Sequence, residues 1–289
     1  GPLESALTAL RSWFSAQGWA PFGFQEETWA AFLAGESGLI HVPTGAGKTY
    51  AAFGGPLAAM IAQPRPKRGG RVIYLSPLRS VAHDIEGALR RPLADLVPGA
   101  AVESRTSDTS SATRSRQRKA LPEVLVTTPE SVSIMLARKD AAAVFRGIEA
   151  IIVDEWHALL GSKRGTQTEL ALAAIRRLSP QARIWAMSAT LPNVAQAARA
   201  VVGPGRAPRI VTAPIDRPVK VECLLPDNVD AFPWAGHLGL EMARKVVERL
   251  DVDVSTLVFT NTRNQAERWY QAIQRARPEW GARVAVHHS

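Results

Sequence analysis

Cysteine is nearly absent, with Cys223 alone in 289 residues. One thiol excludes a disulfide framework and any multi-cysteine metal site. The six histidines are scattered apart from His287-His288, so zinc-ligand spacing is lacking as well. No apolar run approaches the ~20 residues that a membrane-spanning helix needs. The first residues show no charged-then-apolar leader pattern, so the sequence reads as cytoplasmic with no membrane partner. Acid is the scarcer charge, since 26 Asp and Glu stand against 35 Lys and Arg, a net charge of +9. That balance suits a phosphate-rich partner, and it suits a merely soluble basic enzyme equally well. What is plentiful is apolar: 46% of residues, enough for a real core.

Short β-branched runs alternate with helical stretches. Leu39–Val42, Val72–Leu75, Val124–Val126, Ile151–Val153 and Ile184–Met187 are apolar throughout, as parallel strands covered on both faces should be. Lys48–Ala62, Ser80–Leu96, Pro129–Arg138 and Thr166–Leu178 read as the helices between them. The alternation predicts a doubly wound, parallel α/β sheet. The texture changes at Ala213-Pro214-Ile215-Asp216-Arg217-Pro218, which has two prolines and no periodicity. The expected division is a first domain over 1–212, a linker over 213–218 and the beginning of a second domain over 219–289. In the second domain the pattern predicts strand Val219–Leu224, helix Gly236–Leu250, strand Thr256–Thr260, helix Arg263–Ala276 and strand Arg283–His287. This is about half a sheet, too little to close a core comfortably.

Three strand ends carry chemistry. Pro43-Thr44-Gly45-Ala46-Gly47-Lys48-Thr49 follows a strand and opens a helix. Such a glycine-rich turn lets backbone N–H groups of Thr44, Gly45, Ala46 and Gly47 curl round a phosphate at a helix N-terminus. Lys48 would reach the β- and γ-phosphates of ATP, and the Thr49 hydroxyl would bind Mg²⁺. The strict pattern wants glycine at position 42, where this chain has Val42. Asp154-Glu155-Trp156-His157 ends strand Ile151–Val153, which places Asp154 to hold Mg²⁺ and Glu155 to polarise the attacking water. Ser188-Ala189-Thr190 ends a further strand and becomes a candidate coupling set only beside the other two.

In this order, the glycine-lysine loop, Asp-Glu-Trp-His and Ser-Ala-Thr resemble motifs I, II and III of superfamily 2 DExH helicases. The resemblance continues on both sides. Pro21-Phe22-Gly23-Phe24-Gln25 is similar to the adenine-reading Q motif, with Gln25 on the base edge and Phe22 or Phe24 packed on the ring. Ser76-Pro77-Leu78-Arg79-Ser80 resembles motif Ia, and Thr127-Thr128-Pro129-Glu130-Ser131 resembles motif Ib. Arg105-Thr106-Ser107-Asp108-Thr109 resembles the family's Arg-Thr-Gly-Asp-Thr, with Ser107 in place of glycine. Leu257-Val258-Phe259-Thr260-Asn261-Thr262-Arg263 resembles motif IV, and His287-His288-Ser289 the start of the next. Pro233-Trp234-Ala235-Gly236-His237 points to the large helicase-related (Lhr) branch, and within it to bacterial ligase-associated DEXH-box helicases.

The resemblance implies a RecA-like first domain followed by the start of a second RecA-like domain. It implies ATP and Mg²⁺ as cofactors, with catalytic Lys48, Asp154 and Glu155, and with His157, Ser188 and Thr190 coupling nucleotide state to movement. It implies nucleic-acid contacts by Ser76, Arg79, Arg105, Thr106, Asp108, Thr109, Thr127, Thr128, Thr260, Asn261 and Arg263. For each Ser and Thr, helix capping competes with phosphate binding, because both use the same geometry. Arg114–Lys119 either extends this basic track or is a solvated helix face. The implied activity is ATP-dependent translocation or unwinding, 3′ to 5′ on single-stranded or partly duplex DNA. Its implied setting is DNA repair beside a ligase or nuclease, in a cytoplasmic, nucleoid-associated monomer. A nucleotide-gated clamp without unwinding, or an RNA or RNA–DNA helicase, would share these motifs. Motifs V and VI are not found in this sequence, so slow ATP turnover and no unwinding are expected of these residues alone.

Overall fold

The computed structural model describes residues 1–43, 47–214, 220–228 and 239–287. Thr44, Gly45 and Ala46, most of the expected linker, the Pro233–His237 signature and His288-Ser289 lie outside the described residues. The chain divides into two compact units, Gly1–Asp216 and Arg217–Ser289.

The first unit is a sheet wrapped by helices. Helices α1 (Pro2–Ala16) and α2 (Gly23–Leu33) precede strand β1 (Gly38–His41). Then come α3 (Lys48–Ala62), β2 (Val72–Leu75), α4 (Arg79–Leu96), β3 (Val102–Arg105), α5 (Ser111–Lys119), β4 (Val124–Thr127), α6 (Pro129–Leu136) and α7 (Ala141–Phe145). The unit ends with β5 (Ala150–Val153), α8 (Trp156–Leu159), α9 (Lys163–Leu178), β6 (Arg183–Ser188), α10 (Val194–Val202) and β7 (Arg209–Thr212). The seven strands lie in the order β3-β4-β2-β5-β6-β1-β7, and every pairing is parallel. This is the expected doubly wound architecture, with RecA-like form.

Alternating side chains of each strand feed two cores. Ile40, Val72, Tyr74, Val126, Ile152, Trp185 and Met187 pack beneath α1–α4. Leu39, Ile73, Leu75, Leu125, Ile151, Val153 and Ile184 pack beneath α6–α10. Burial on both faces is why β2, β5 and the first three residues of β4 are apolar. Val42, the departure from the strict loop pattern, is fully buried in the first core, so the larger side chain fills space that a glycine would leave open.

The order of strands divides the carboxyl rim of the sheet into two neighbourhoods. Strands β5, β6 and β1 are consecutive, with Val153 opposite Ala186 and Ser188 opposite His41. Strands β3, β4 and β2 are also consecutive, with Arg105 and Leu75 both opposite Thr127. In open α/β sheets, ligands bind beyond this edge.

The second unit departs from expectation. Helix α11 (Ala243–Val247), a preceding 3-10 turn at Leu240–Met242 and α12 (Arg263–Ala276) form, followed by a 3-10 segment at Pro278–Arg283. No strand forms among its described residues, so the strands expected at Thr256–Thr260, Val219–Leu224 and Arg283–His287 are absent from their described parts, and Arg283 ends the 3-10 segment. A strand is stable only when its N–H and C=O groups find a ladder. Without one, Leu257 and Phe259 stay 81% and 86% exposed.

Candidate functional site

The β5-β6-β1 rim brings the first candidate set together. Gly47 has φ +77°, the left-handed conformation that glycine tolerates, and a Cβ there would lie 2.7 Å from Gln25 Nε2. Helix α3 then starts at Lys48, whose Nζ donates to the carbonyl of Val42 at 3.0 Å. Burial pushes the Lys48 pKa down, while the charges of Glu155 and Asp154 oppose the shift. The amine and both acids therefore lie close enough for their charges to act on one another.

Asp154 follows β5 and is mostly buried. Its Oδ1 accepts from the Glu155 N–H at 2.9 Å and its Oδ2 from the Tyr74 hydroxyl at 3.0 Å. Burial raises its pKa, the Tyr74 hydrogen bond opposes that, and the neighbouring Glu155 charge adds to it. Glu155 is the only non-glycine residue with positive φ among the described residues, at +50°. Such a conformation costs on the order of 1 kcal/mol or more.

The acidic pair is linked to the end of β6. Glu155 Oε2 lies 3.0 Å from His157 Nε2, and His157 Nδ1 lies 3.3 Å from Ser188 Oγ. The Ala189 N–H donates to the same Nδ1 at 3.4 Å. An acceptor Nδ1 puts the hydrogen of a neutral imidazole on Nε2, facing Glu155. Nitrogen NMR should therefore find the Nε2–H tautomer of His157, and an Nδ1–H tautomer would break this chain of contacts. Thr190 is exposed beside it.

Gln25 is 2% exposed and engaged at both ends. Its Oε1 accepts from the Phe22 N–H at 2.8 Å, and its Nε2 donates to the Gly47 carbonyl at 2.9 Å. The amide expected to read a base is committed here to the phosphate loop itself. Phe22, 57% exposed, stacks on Phe24 with 5.7 Å between ring centroids and offers a free face nearby. Trp156, beside the acids, is fully buried and donates to the Ala197 carbonyl at 3.0 Å, so its role is packing.

The β3-β4-β2 rim forms a groove of about 750 Å³ lined by Arg79, Arg105, Arg114 and Arg164 with Ser80, Ser107, Thr128 and Ser131. Arg105 is only 7% exposed and its Nη1 has no partner. Burial, then repulsion from Arg114, Arg138 and Arg118, lowers its pKa. An arginine nonetheless stays cationic, and an unsatisfied buried donor favours an anion. Arg79 bonds Ser107 Oγ at 2.9 Å and lies 3.4 Å from Asp108.

The hydroxyls sort by which hydrogen is free. Thr127 donates to the Arg105 carbonyl at 2.7 Å and Ser76 to the Leu78 carbonyl at 3.1 Å, and both are fully buried. Their hydrogens are spent on the fold, not offered to the groove. Thr106 and Thr109 instead accept, from the N–H groups of Asp108 and Thr106 at 3.2 and 2.9 Å, and keep a hydrogen to give. Thr128 caps α6 through the Ser131 N–H, and its hydroxyl meets that of Ser131 at 3.2 Å, leaving one hydrogen between them.

Two groove or site residues escaped sequence reasoning. Arg164, at the start of α9, bonds Glu130 Oε1 at 2.5 Å and the Pro77 carbonyl at 2.6 Å, clamping the loop after β2 to α6. Tyr74 lies within an apolar strand and so reads as core. A phenol among buried aliphatics is nevertheless a signal, because its hydroxyl must find a partner. Arg114 belonged to a stretch with two readings; it lines the groove and donates to the Thr106 and Ser107 carbonyls. In the second unit, Thr260 donates to the Thr262 carbonyl at 3.3 Å, the Asn261 N–H donates to Gln265 at 3.0 Å, and Arg263 opens α12.

A parallel sheet with a glycine-lysine turn after one strand and an acidic pair after a nearby one defines a RecA-like α/β domain. The chain belongs to the DEAD/DEAH box helicase family, which residues 22–198 match. It is 30% identical over 292 aligned residues to the Lhr helicase/uracil glycosylase of Escherichia coli, covering 90% of this chain and 19% of that protein. It is 32% identical to the ATP-dependent helicase Lhr-Core of Methanocaldococcus jannaschii, covering 88% of this chain and 31% of that one. Among solved structures, the Mycobacterium smegmatis helicase Lhr bound to single-stranded DNA and AMP-PNP superposes with a TM-score of 0.77 at 29% identity. That superposition covers 97% of this chain and 38% of the other. The chain thus spans less than two fifths of each of these relatives.

Proposed function

We propose that this chain is the nucleotide-binding front part of an ATP-dependent nucleic-acid motor. One observation carries the reading: a single sheet edge holds a lysine–acid pocket after β5, β6 and β1 beside an arginine groove after β3, β4 and β2. Lys48 grips the triphosphate, Glu155 polarises water, and the His157–Ser188 contacts report nucleotide state. Mg²⁺ fits the residues present. No group of three or more His, Cys, Asp or Glu among the described residues forms a metal cage. Thr49 and Asp154 instead supply one hydroxyl and one carboxylate, the sparse oxygen set that Mg²⁺ takes when substrate phosphates and water complete its shell. Bound there, it would neutralise phosphate charge.

The groove is the track for one strand. Arginine and hydroxyl contacts to phosphate fix register without reading bases, as a motor moving along any sequence requires. The relative solved with single-stranded DNA supports DNA as the partner. Movement 3′ to 5′ and a cytoplasmic repair setting with a ligase or nuclease complete the proposal. Anisotropy with labelled oligonucleotides tests this. Mg²⁺–AMP-PNP should change strand affinity. Arg105→Ala should weaken binding about tenfold across sequences and reduce the salt slope by ~1. Nucleotide-independent binding sinks the motor reading, and a preference for 2′-hydroxyl strands replaces DNA with RNA.

A further inference from the structure

We propose that Tyr74 is a positioning residue of the metal–nucleotide site, its buried phenol holding Asp154 in the arrangement that a magnesium-bound triphosphate requires. The inference rests on the function proposed above and adds a residue to it. Tyr74 stands in β2, the strand between the two neighbourhoods of the rim, and pairs with β4 on one side and β5 on the other. It is completely buried. Its hydroxyl donates to Asp154 Oδ2 at 3.0 Å. The carboxylate assigned to the metal is therefore tied to one rigid ring.

The contact has a consequence. Asp154 is held at both oxygens, by Tyr74 on Oδ2 and by the Glu155 N–H on Oδ1, which fixes the plane of the carboxylate. A phenol that needed only a partner could bond a strand-end carbonyl. A phenylalanine would fill the same core volume among Ile152, Met187 and Ile40. The hydroxyl adds nothing to packing; what it touches is the site. Partners of metal ligands act in this way, and losing one costs about tenfold to a hundredfold in metal affinity.

Tyr74→Phe tests the assignment, because it removes one oxygen and keeps the ring. Binding of a fluorescent methylanthraniloyl-ATP to the 289-residue chain is titrated with Mg²⁺ and repeated in EDTA. The half-saturating Mg²⁺ concentration should rise about tenfold or more, while affinity in EDTA stays as in the parent chain. If Asp154→Asn shifts the Mg²⁺ dependence and Tyr74→Phe does not, the role of Tyr74 is overturned and the proposed function survives. If neither variant shifts it, the proposed function falls and this inference with it. Should Tyr74→Phe fail to fold, fluorotyrosine placed at Tyr50, Tyr74 and Tyr270 gives a second readout in the native fold, with signals assigned through Tyr50→Phe and Tyr270→Phe. The Tyr74 fluorine resonance should move when Mg²⁺ joins bound nucleotide. A resonance that stays still overturns the proposal.

Discussion

Lys48→Met should remove most of the chain's affinity for a nucleoside triphosphate, a loss of about 2–5 kcal/mol, as truncating one partner of a buried charge pair typically costs. Methionine keeps the methylene stem, so packing at the start of α3 survives and the effect isolates the charge. In the parent chain the amine donates to the Val42 carbonyl at 3.0 Å and shares its pocket with Asp154 and Glu155. Without it, two carboxylates face an incoming polyphosphate with no fixed cation between them. The loss should be specific to ligand charge. AMP lacks the β- and γ-phosphates that the amine is placed to meet, so its affinity should stay nearly unchanged. Calorimetric titration of both ligands into both proteins checks this. Equal weakening of AMP and ATP would mean that the loop had collapsed, and no weakening would remove Lys48 from the site.

Burial symmetry decided which parts of this fold were legible. β2 and β5 are apolar on both faces because helices cover both, and a continuous apolar run is visible in sequence. β3 and β7 are edge strands. β3 reads Val-Glu-Ser-Arg and β7 buries only Val211, so neither shows a run and both were missed. α3 was legible to the residue because the loop before it fixes its start. Strand ends of one parallel sheet must lie on one rim, which is why spacing alone puts Lys48 near Asp154 and Glu155. Arg164 was invisible because its partners Glu130 and Pro77 are 34 and 87 residues away in sequence. The hydroxyls of Ser76 and Thr127 look like phosphate donors in sequence, and only the carbonyls they meet show otherwise. In the second unit, alternation predicted strands that do not form among the described residues, because pairing depends on neighbours that local pattern does not encode.

Gly54→Ala should be a strongly damaging single-methyl change in the first unit, and its effect should reach the nucleotide pocket. Gly54 lies inside α3, where alanine is ordinarily preferred by about 0.5–1 kcal/mol. A Cβ here would sit 2.1 Å from Trp29 Nε1 and 2.4 Å from Cε2, so α2 and α3 cannot keep their distance. Trp29 cannot swing aside, because it is 1% exposed and its Nε1 donates to the Tyr50 carbonyl at 2.9 Å. Overpacking of this kind costs about 3 kcal/mol, and each kcal/mol lowers Tm by ~2–4 °C in a domain of this size. The same helix pair joins Gln25 to the Gly47 carbonyl at 2.9 Å, so prying α2 from α3 also loosens the turn that leads into Lys48. Thermal melting should therefore fall and nucleotide affinity with it. Gly87→Ala in α4 is the control, since nothing lies within 4 Å of its Cβ. That change should raise Tm slightly through helix propensity and leave nucleotide binding alone. If both glycine variants melt like the parent, the close approach of α2 to α3 does not constrain the fold, and the route from Trp29 to the phosphate loop is not a mechanical one.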